Sequence, residues 1–146
     1  MNQIKYSILK PTDENIILLE QLRYNAYGFD NQELKNGNPL HIKYLKEGKY
    51  LAFGSYLNDQ LIGGCYISNS HNSLYIEELF ISKQHQKTSL HLGTNLLLHI
   101  LKNKDKVEEY FKTKLNYSYL EPRKNTETFY ENLGYKETSN FFKKRI

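Results

Sequence analysis

The chain has 146 residues, 39% of them hydrophobic and 25% charged, with a formal net charge of +4. That length suits a single domain, residues 1–146, around one core. No apolar run approaches the roughly 20 residues of a bilayer span, the start "MNQIKYSILKP" has no apolar signal core, and one cysteine cannot close an internal disulfide. A soluble protein of the reducing cytoplasm is therefore expected.

"QIKYSIL" alternates polar and apolar residues and predicts a first strand ended by Pro11. Thr12 or Asp13 can cap a helix through about Tyr27, with Ile16, Ile17, Leu19, Leu22 and Ala26 as its apolar stripe. "GFDNQELKNGNP" reads as loop and "LHIKYLKEG" as a short helix stopped near Gly48. "YLAFGSYL", "LIGGCYISN" and "LYIEELFIS", joined by the turns "NDQ" and "SHNS", predict an antiparallel meander. From about Leu92 to Tyr110 the period is helical. "LNYSYLEP" is a fifth strand, "NTETFYENLG" a short helix ended by Gly134, and "YKETSNFFKK" one or two closing strands. The helix between "LYIEELFIS" and "LNYSYLEP" makes those strands parallel neighbours. The fold class is α/β, with a mixed sheet covered by helices. Thirteen tyrosines and seven phenylalanines supply much of the core. The basic end "FFKKRI" reads as solvated.

Two stretches carry a family resemblance. "ELFI" ends a strand and "GTNLLL" opens a helix, and "FYENLGY" spans Phe129 to Tyr135. With the element order, these resemble the GNAT (Gcn5-related N-acetyltransferase) family. The resemblance implies a mixed, mostly antiparallel sheet, acetyl-CoA as co-substrate and an amine acceptor. It also allows a homodimer, and implies no membrane. The loop "QHQKTSLH" departs from the family pattern. His91 stands where a glycine is usual, and Gln84, Gln86 or Lys87 stands for the leading Arg or Gln. Arg123 lies seven residues before Tyr130, where many members carry Asn, and Asn125 follows two residues later.

A helix starting near Leu92 leaves its first N–H groups unpaired at a positive dipole end. A pyrophosphate placed there can accept from them. Gly93 lets a ligand come close, Ser89 and Thr94 offer hydroxyls, Lys87 offers charge, and His91 can donate. Taken alone, this stretch reads first as a capped, solvated loop, since it holds a single glycine; the resemblance reverses that preference. By resemblance, the strand through Leu79, Phe80 and Ile81 pairs with the amides of pantetheine. Asn125 reads as a cofactor contact or, preferably, a cap for the last helix.

Acyl transfer to an amine needs a proton acceptor, an oxyanion donor and an acid for the leaving thiolate. Glu77 and Glu78 are the candidate acceptors. As neighbours on a strand they should face opposite sides, with Glu77 preferred because Leu79 and Ile81 share its parity. Tyr130 is the candidate acid, since its phenol is protonated at pH 7 and its place in "FYENLGY" matches that role in the family. Cys65 reads as packing and His99 as structural, and no role is assigned to His41, His71 or His85. No metal-ligand spacing is present. Two rival readings are a non-catalytic module on the same fold, and nucleic-acid binding through the basic end, for which no motif is present.

Overall fold

The computed structural model describes residues 3–28, 37–86, 88–139 and 141–146. Strand β1 (Ile4–Leu9) is followed by helices α1 (Asp13–Tyr27) and α2 (Pro39–Lys46). Strands β2 (Leu51–Leu57), β3 (Gln60–Ser70) and β4 (Ser73–Ile81) form the meander. After a 3-10 turn at Lys83–His85 come helices α3 (Leu92–Lys102) and α4 (Lys104–Phe111), then β5 (Tyr117–Leu120), α5 (Glu127–Asn132), β6 (Lys136–Glu137) and β7 (Phe142–Arg145). The sheet order is β1-β2-β3-β4-β5-β7-β6, and only β4 and β5 pair in parallel. The crossover between them carries α3 and α4, as predicted.

Local chemistry explains the elements. The two hairpins turn on Asn58-Asp59 and His71-Asn72, all four with positive φ, the twist that two-residue hairpin loops require. Thr12 accepts from the Asn15 N–H at 3.2 Å and caps α1. Gly28 ends α1 in the left-handed region at φ 74°. The stripe of α1 differs from expectation at Ile17, which is 54% exposed. Glu20 and Arg23 take the buried surface instead, because they neutralise each other there.

Two apolar layers clasp the sheet. Leu19, Leu45, Tyr66 and Phe80 pack on the α1–α2 side. Leu92, Leu96, Leu97 and Ile100 are buried by α3, which packs on the opposite face with Ile67, Leu74 and Ile76. Burial of each such side chain contributes about 1.5–3 kcal/mol, and Leu96→Ala would cost about 2–5 kcal/mol. The helix expected from Leu92 to Tyr110 is two helices. It breaks at Asn103, whose side-chain amide donates to the His99 carbonyl at 2.8 Å and competes with the backbone ladder. The basic end is not a solvated tail: Phe142–Arg145 is β7, paired with β5 and β6. Lys143 lies over the Tyr117 ring at 4.1 Å, and Lys144 donates to the Leu133 carbonyl at 2.7 Å.

Candidate active site

The sheet opens at the middle of β4. Pairing with β5 ends at Ile76–Leu120, whereas pairing with β3 continues to Ile81–Gly63. The Ser82 N–H donates to the Ile62 carbonyl at 2.8 Å, so the even-numbered residues from Glu78 bond toward β3. Alternation then turns the main-chain groups of Leu79 and Ile81 toward the gap that β5 has left. The Ile81 carbonyl already accepts from the Gln86 side-chain amide at 2.7 Å. That amide also bonds the Ala26 carbonyl at 2.9 Å, tying the end of α1 to the end of β4. Phe80 borders the gap, but its ring is buried edge-on to Tyr66 in the α1–α2 layer.

Glu77 and Glu78 do not face opposite sides. The β3–β4 register shifts between Ile67–Ile76 and Tyr66–Glu78, which leaves Glu77 as the extra residue of a bulge. Ile76 and Leu79 consequently both pack on the α3 side. Both carboxylates project to the α1–α2 side: Glu77 accepts from Ser68 at 2.5 Å, and Glu78 accepts from Tyr27 at 2.7 Å. Strict alternation would have driven Glu78 into the apolar layer under α3, where an unpaired carboxylate is costly. With the bulge it reaches two guanidinium groups and an imidazole instead. Arg23 and His41 each lie 3.7 Å from it, and Arg123 lies at 4.0 Å. Behind this group Glu20 holds Arg23 through two bonds of 3.0 and 3.2 Å and also accepts from Tyr66 and from the Asn38 N–H, both at 2.7 Å. Burial alone would raise the Glu20 carboxyl. Its contacts with His41, Arg23, Asn38 and Tyr66 outweigh burial and hold its pKa at about 2. Sequence reading did not find Tyr27, Arg23, Glu20 or His41. Their only local signal is a buried Glu and Arg three apart on α1.

On the other side of the gap stands the start of α3. No side chain caps this helix, and its first turn has no acid. The N–H groups of Leu92, Gly93 and Thr94 precede the first intrahelical bond, which runs from Asn95 to the His91 carbonyl at 3.0 Å. His91 is left-handed at φ 49°, so a side chain does fit where the family carries glycine, at the strain a non-glycine residue bears there. It can do so because its imidazole is exposed. A Cβ on Gly93 would meet Phe129 at 3.5 Å, an ordinary contact, so the fold itself does not demand glycine there. Lys87 lies outside the described residues. Ser89 is exposed and is not part of the cleft lining. Asn125 neither lines the cleft nor caps α5: it sits exposed in a turn at φ 70°, and Thr126 occupies the cap position. The hydroxyl of Thr126 is directed to the Arg123 carbonyl at 2.6 Å.

Two cavities meet in the gap. The larger, about 590 Å³, runs from Gln86, His91, Leu92, Gly93 and Thr94 along Leu79 and Ile81. The smaller, about 260 Å³, is lined by Glu77, Glu78, Tyr75 and Glu121. Tyr27, Leu79, Arg123 and Tyr130 border both. Tyr130 is 9% exposed. Burial, and then the neighbouring Cys65, Tyr135 and Glu78, push its phenol well above the usual tyrosine range, so it stays protonated at neutral pH. Arg123 stacks on the Tyr27 ring at 3.5 Å. Cys65 is fully buried with its thiol pushed up by burial, which makes it inert packing. Among the described residues no group of three or more His, Cys, Asp or Glu could hold a metal ion, and no helix is long and apolar enough to cross a membrane.

Comparison with known proteins agrees with this geometry. The profile of the acetyltransferase (GNAT) domain matches residues 23–145. Among solved structures, the ribosomal-protein-S18-alanine N-acetyltransferase of Escherichia coli superposes with a TM-score of 0.73 at 15% identity, over 99% of this chain and 94% of that one. The PaiA N-acetyltransferase of Thermoplasma acidophilum, solved with coenzyme A, gives 0.67 at 15% identity over 99% of both chains. The aminoglycoside 6'-acetyltransferase type Ii gives 0.70 at 15% identity over 97% of this chain and 96% of that one. At such identities these structures speak for the fold alone. A search of curated protein sequences gives no match. The profile spans most of the chain, including the strand, helix and "FYENLGY" segments that line the cleft: the chain belongs to the GNAT family of acetyltransferases, and its activity class is acetyl-CoA-dependent N-acetyl transfer.

Proposed function

We propose that the protein moves an acetyl group from acetyl-CoA to a primary amine of a small molecule or a peptide, with the thioester held where the two cavities meet. The observation that carries this reading is that one phenol, Tyr130, borders both a cleft ending at an uncapped helix start and a cavity lined by three glutamates, Glu77, Glu78 and Glu121. The pyrophosphate accepts from the N–H groups of Leu92, Gly93 and Thr94, where the α3 dipole favours negative charge. The pantetheine amides bond the main chain of Leu79 and Ile81 as an added strand.

The acceptor amine enters the smaller cavity and attacks the thioester carbon. Its nitrogen forms the C–N bond and gives up a proton, and the C–S bond breaks. Glu78 is the better proton acceptor of the pair, because it lies against Tyr27 and Arg123, which border both cavities, whereas Glu77 is turned to Ser68 and a further cavity. Tyr130 gives its proton to the leaving thiolate. Support for a protonated acid at neutral pH comes from the raised phenol.

The test combines binding with turnover. Acetyl-CoA at millimolar concentration should raise the melting temperature by mass action, while adenine nucleotides without pantetheine raise it less. A panel of amines should then release free thiol. If acetyl-CoA produces no thermal shift, the transfer reading is lost and a module that binds no CoA remains.

A further inference from the structure

Beyond the reaction cavity a third cavity opens, of about 470 Å³, walled by Tyr44, Lys49, Tyr50 and Phe111. Glu77 lines both this space and the reaction cavity, so the two adjoin at this residue. The contacts of Glu77 set it apart from Glu20 and Glu78. Glu20 is held by Arg23, and Glu78 has Arg23, His41 and Arg123 around it. Glu77 accepts from the Ser68 hydroxyl, a neutral donor. Among the described residues no lysine, arginine or histidine lies within ion-pair distance of it. A carboxylate served by a neutral donor beside open space attracts a cation from outside.

The walls favour the same ligand. Tyr44 and Tyr50 are tilted neighbours at 5.2 Å, and the electron-rich faces of such rings attract ammonium and guanidinium groups. One ring is already so used, since the Lys49 ammonium lies 5.3 Å from the centroid of Tyr44. Lys49 is 64% exposed and its other partner is the nearby Glu47 at 3.2 Å, so it can leave the ring without losing a buried partner.

We propose that the acceptor carries a second cationic centre beyond the reacting amine, bound by Glu77 in the cavity that Tyr44 and Tyr50 line. This rests on the transfer reading above. It names the substrate class as diamines and their basic relatives, including short peptides with a lysine. A neutral tail would leave Glu77 without a counter-charge, and an anionic tail would meet repulsion from it.

The experiment measures thiol release at saturating acetyl-CoA with matched acceptors: alkyl monoamines, α,ω-diamines, amino alcohols and amino acids of three to six carbons, and a lysine-containing dipeptide. The best diamine or the dipeptide should exceed its uncharged counterpart in kcat/KM by at least about tenfold, and which of the two wins separates a free polyamine from a peptide. That ratio should shrink in Tyr44→Leu and in Tyr50→Leu, each of which removes a ring face, and each is checked for an unchanged fold by its melting curve. As a measurement on the unaltered protein, a bis-quaternary alkane diammonium ion should inhibit competitively against the amine, and its mono-quaternary analogue should not. Equal use of monoamines and diamines, or a ratio that survives both substitutions, overturns the inference and leaves amine acetylation standing. Absence of thiol release with every amine overturns the transfer reading, and the inference with it.

Discussion

The two walls of the site are built from different materials. On the proposed reading the cofactor wall consists of backbone: the uncapped N–H groups at Leu92–Thr94 and the main chain of Leu79 and Ile81, left over when β5 diverges. The acceptor wall consists of side-chain charge: Glu20, Arg23, His41, Glu77, Glu78 and Arg123, gathered from α1, α2, β4 and the segment after β5. Backbone geometry is tolerant of sequence, because any residue that keeps the helix start supplies the same N–H groups. A charge network is not, because each member's cost is offset only by its partners. The cofactor wall should therefore bear substitution well and the acceptor wall poorly.

The hardest test of that contrast is Glu20→Gln. The change keeps an acceptor for Tyr66 and the Asn38 N–H but leaves Arg23 buried beside a neutral amide. Breaking a buried pair in this way costs about 3–5 kcal/mol, which for a chain of this size lowers the melting temperature by about 6–15 °C. The pH dependence carries a sign. Glu20 is lowered to about 2 from an ordinary 4.5. Its contribution is therefore fully present above pH 4.5 and is lost as pH falls from 4.5 toward 2. Urea unfolding at a series of pH values should show the parent losing stability across that window and Glu20→Gln losing about 2–3 kcal/mol less. A variant that matches the parent in stability at pH 7 would show that the acceptor wall does not depend on this network.

The same contrast explains what could be read before folding. The proposed cofactor wall lies in two continuous segments, "ELFI" and "GTNLLL", so family likeness points to it from the sequence, although the loop's own composition does not. The parallel β4–β5 pair followed from the crossover rule, and the hairpin turns from their residues. The acceptor wall was only half visible. Glu77 and Glu78 were chosen, but their directions depended on a bulge, and a register shift has no signature in the alternation of one strand. Arg23 and Tyr27 lie more than 50 positions from Glu78 in the chain, and nothing local marks them as its partners. Asn103 failed as helix interior for a local reason, the pull of its amide on the His99 carbonyl, which a periodicity count does not weigh.

Where the walls meet, Tyr130→Phe removes one hydroxyl and little volume. If the phenol supplies the proton to the thiolate, kcat should fall about 10²-fold, within the usual range for a general acid. The KM for acetyl-CoA should stay within about twofold, because the loss is confined to the transition state. Steady-state kinetics with a fixed amine decide it. Unchanged kcat would reduce Tyr130 to a packing residue between Phe129 and Tyr135, whose rings lie 4.9 and 5.9 Å from its own.

The smallest effect is expected at His91. Its left-handed backbone costs a non-glycine residue about 1 kcal/mol, and glycine relieves that strain while giving part of the gain back as chain entropy. His91→Gly should therefore raise stability by less than about 1 kcal/mol in urea unfolding. The first N–H groups of α3 are untouched by the change, so on a backbone-built wall the KM for acetyl-CoA should move by less than about threefold. A larger rise in KM would mean that the imidazole itself holds a phosphate. The cofactor wall of this protein would then depend on a side chain, and the contrast between the two walls would fail at the residue that most departs from the family pattern.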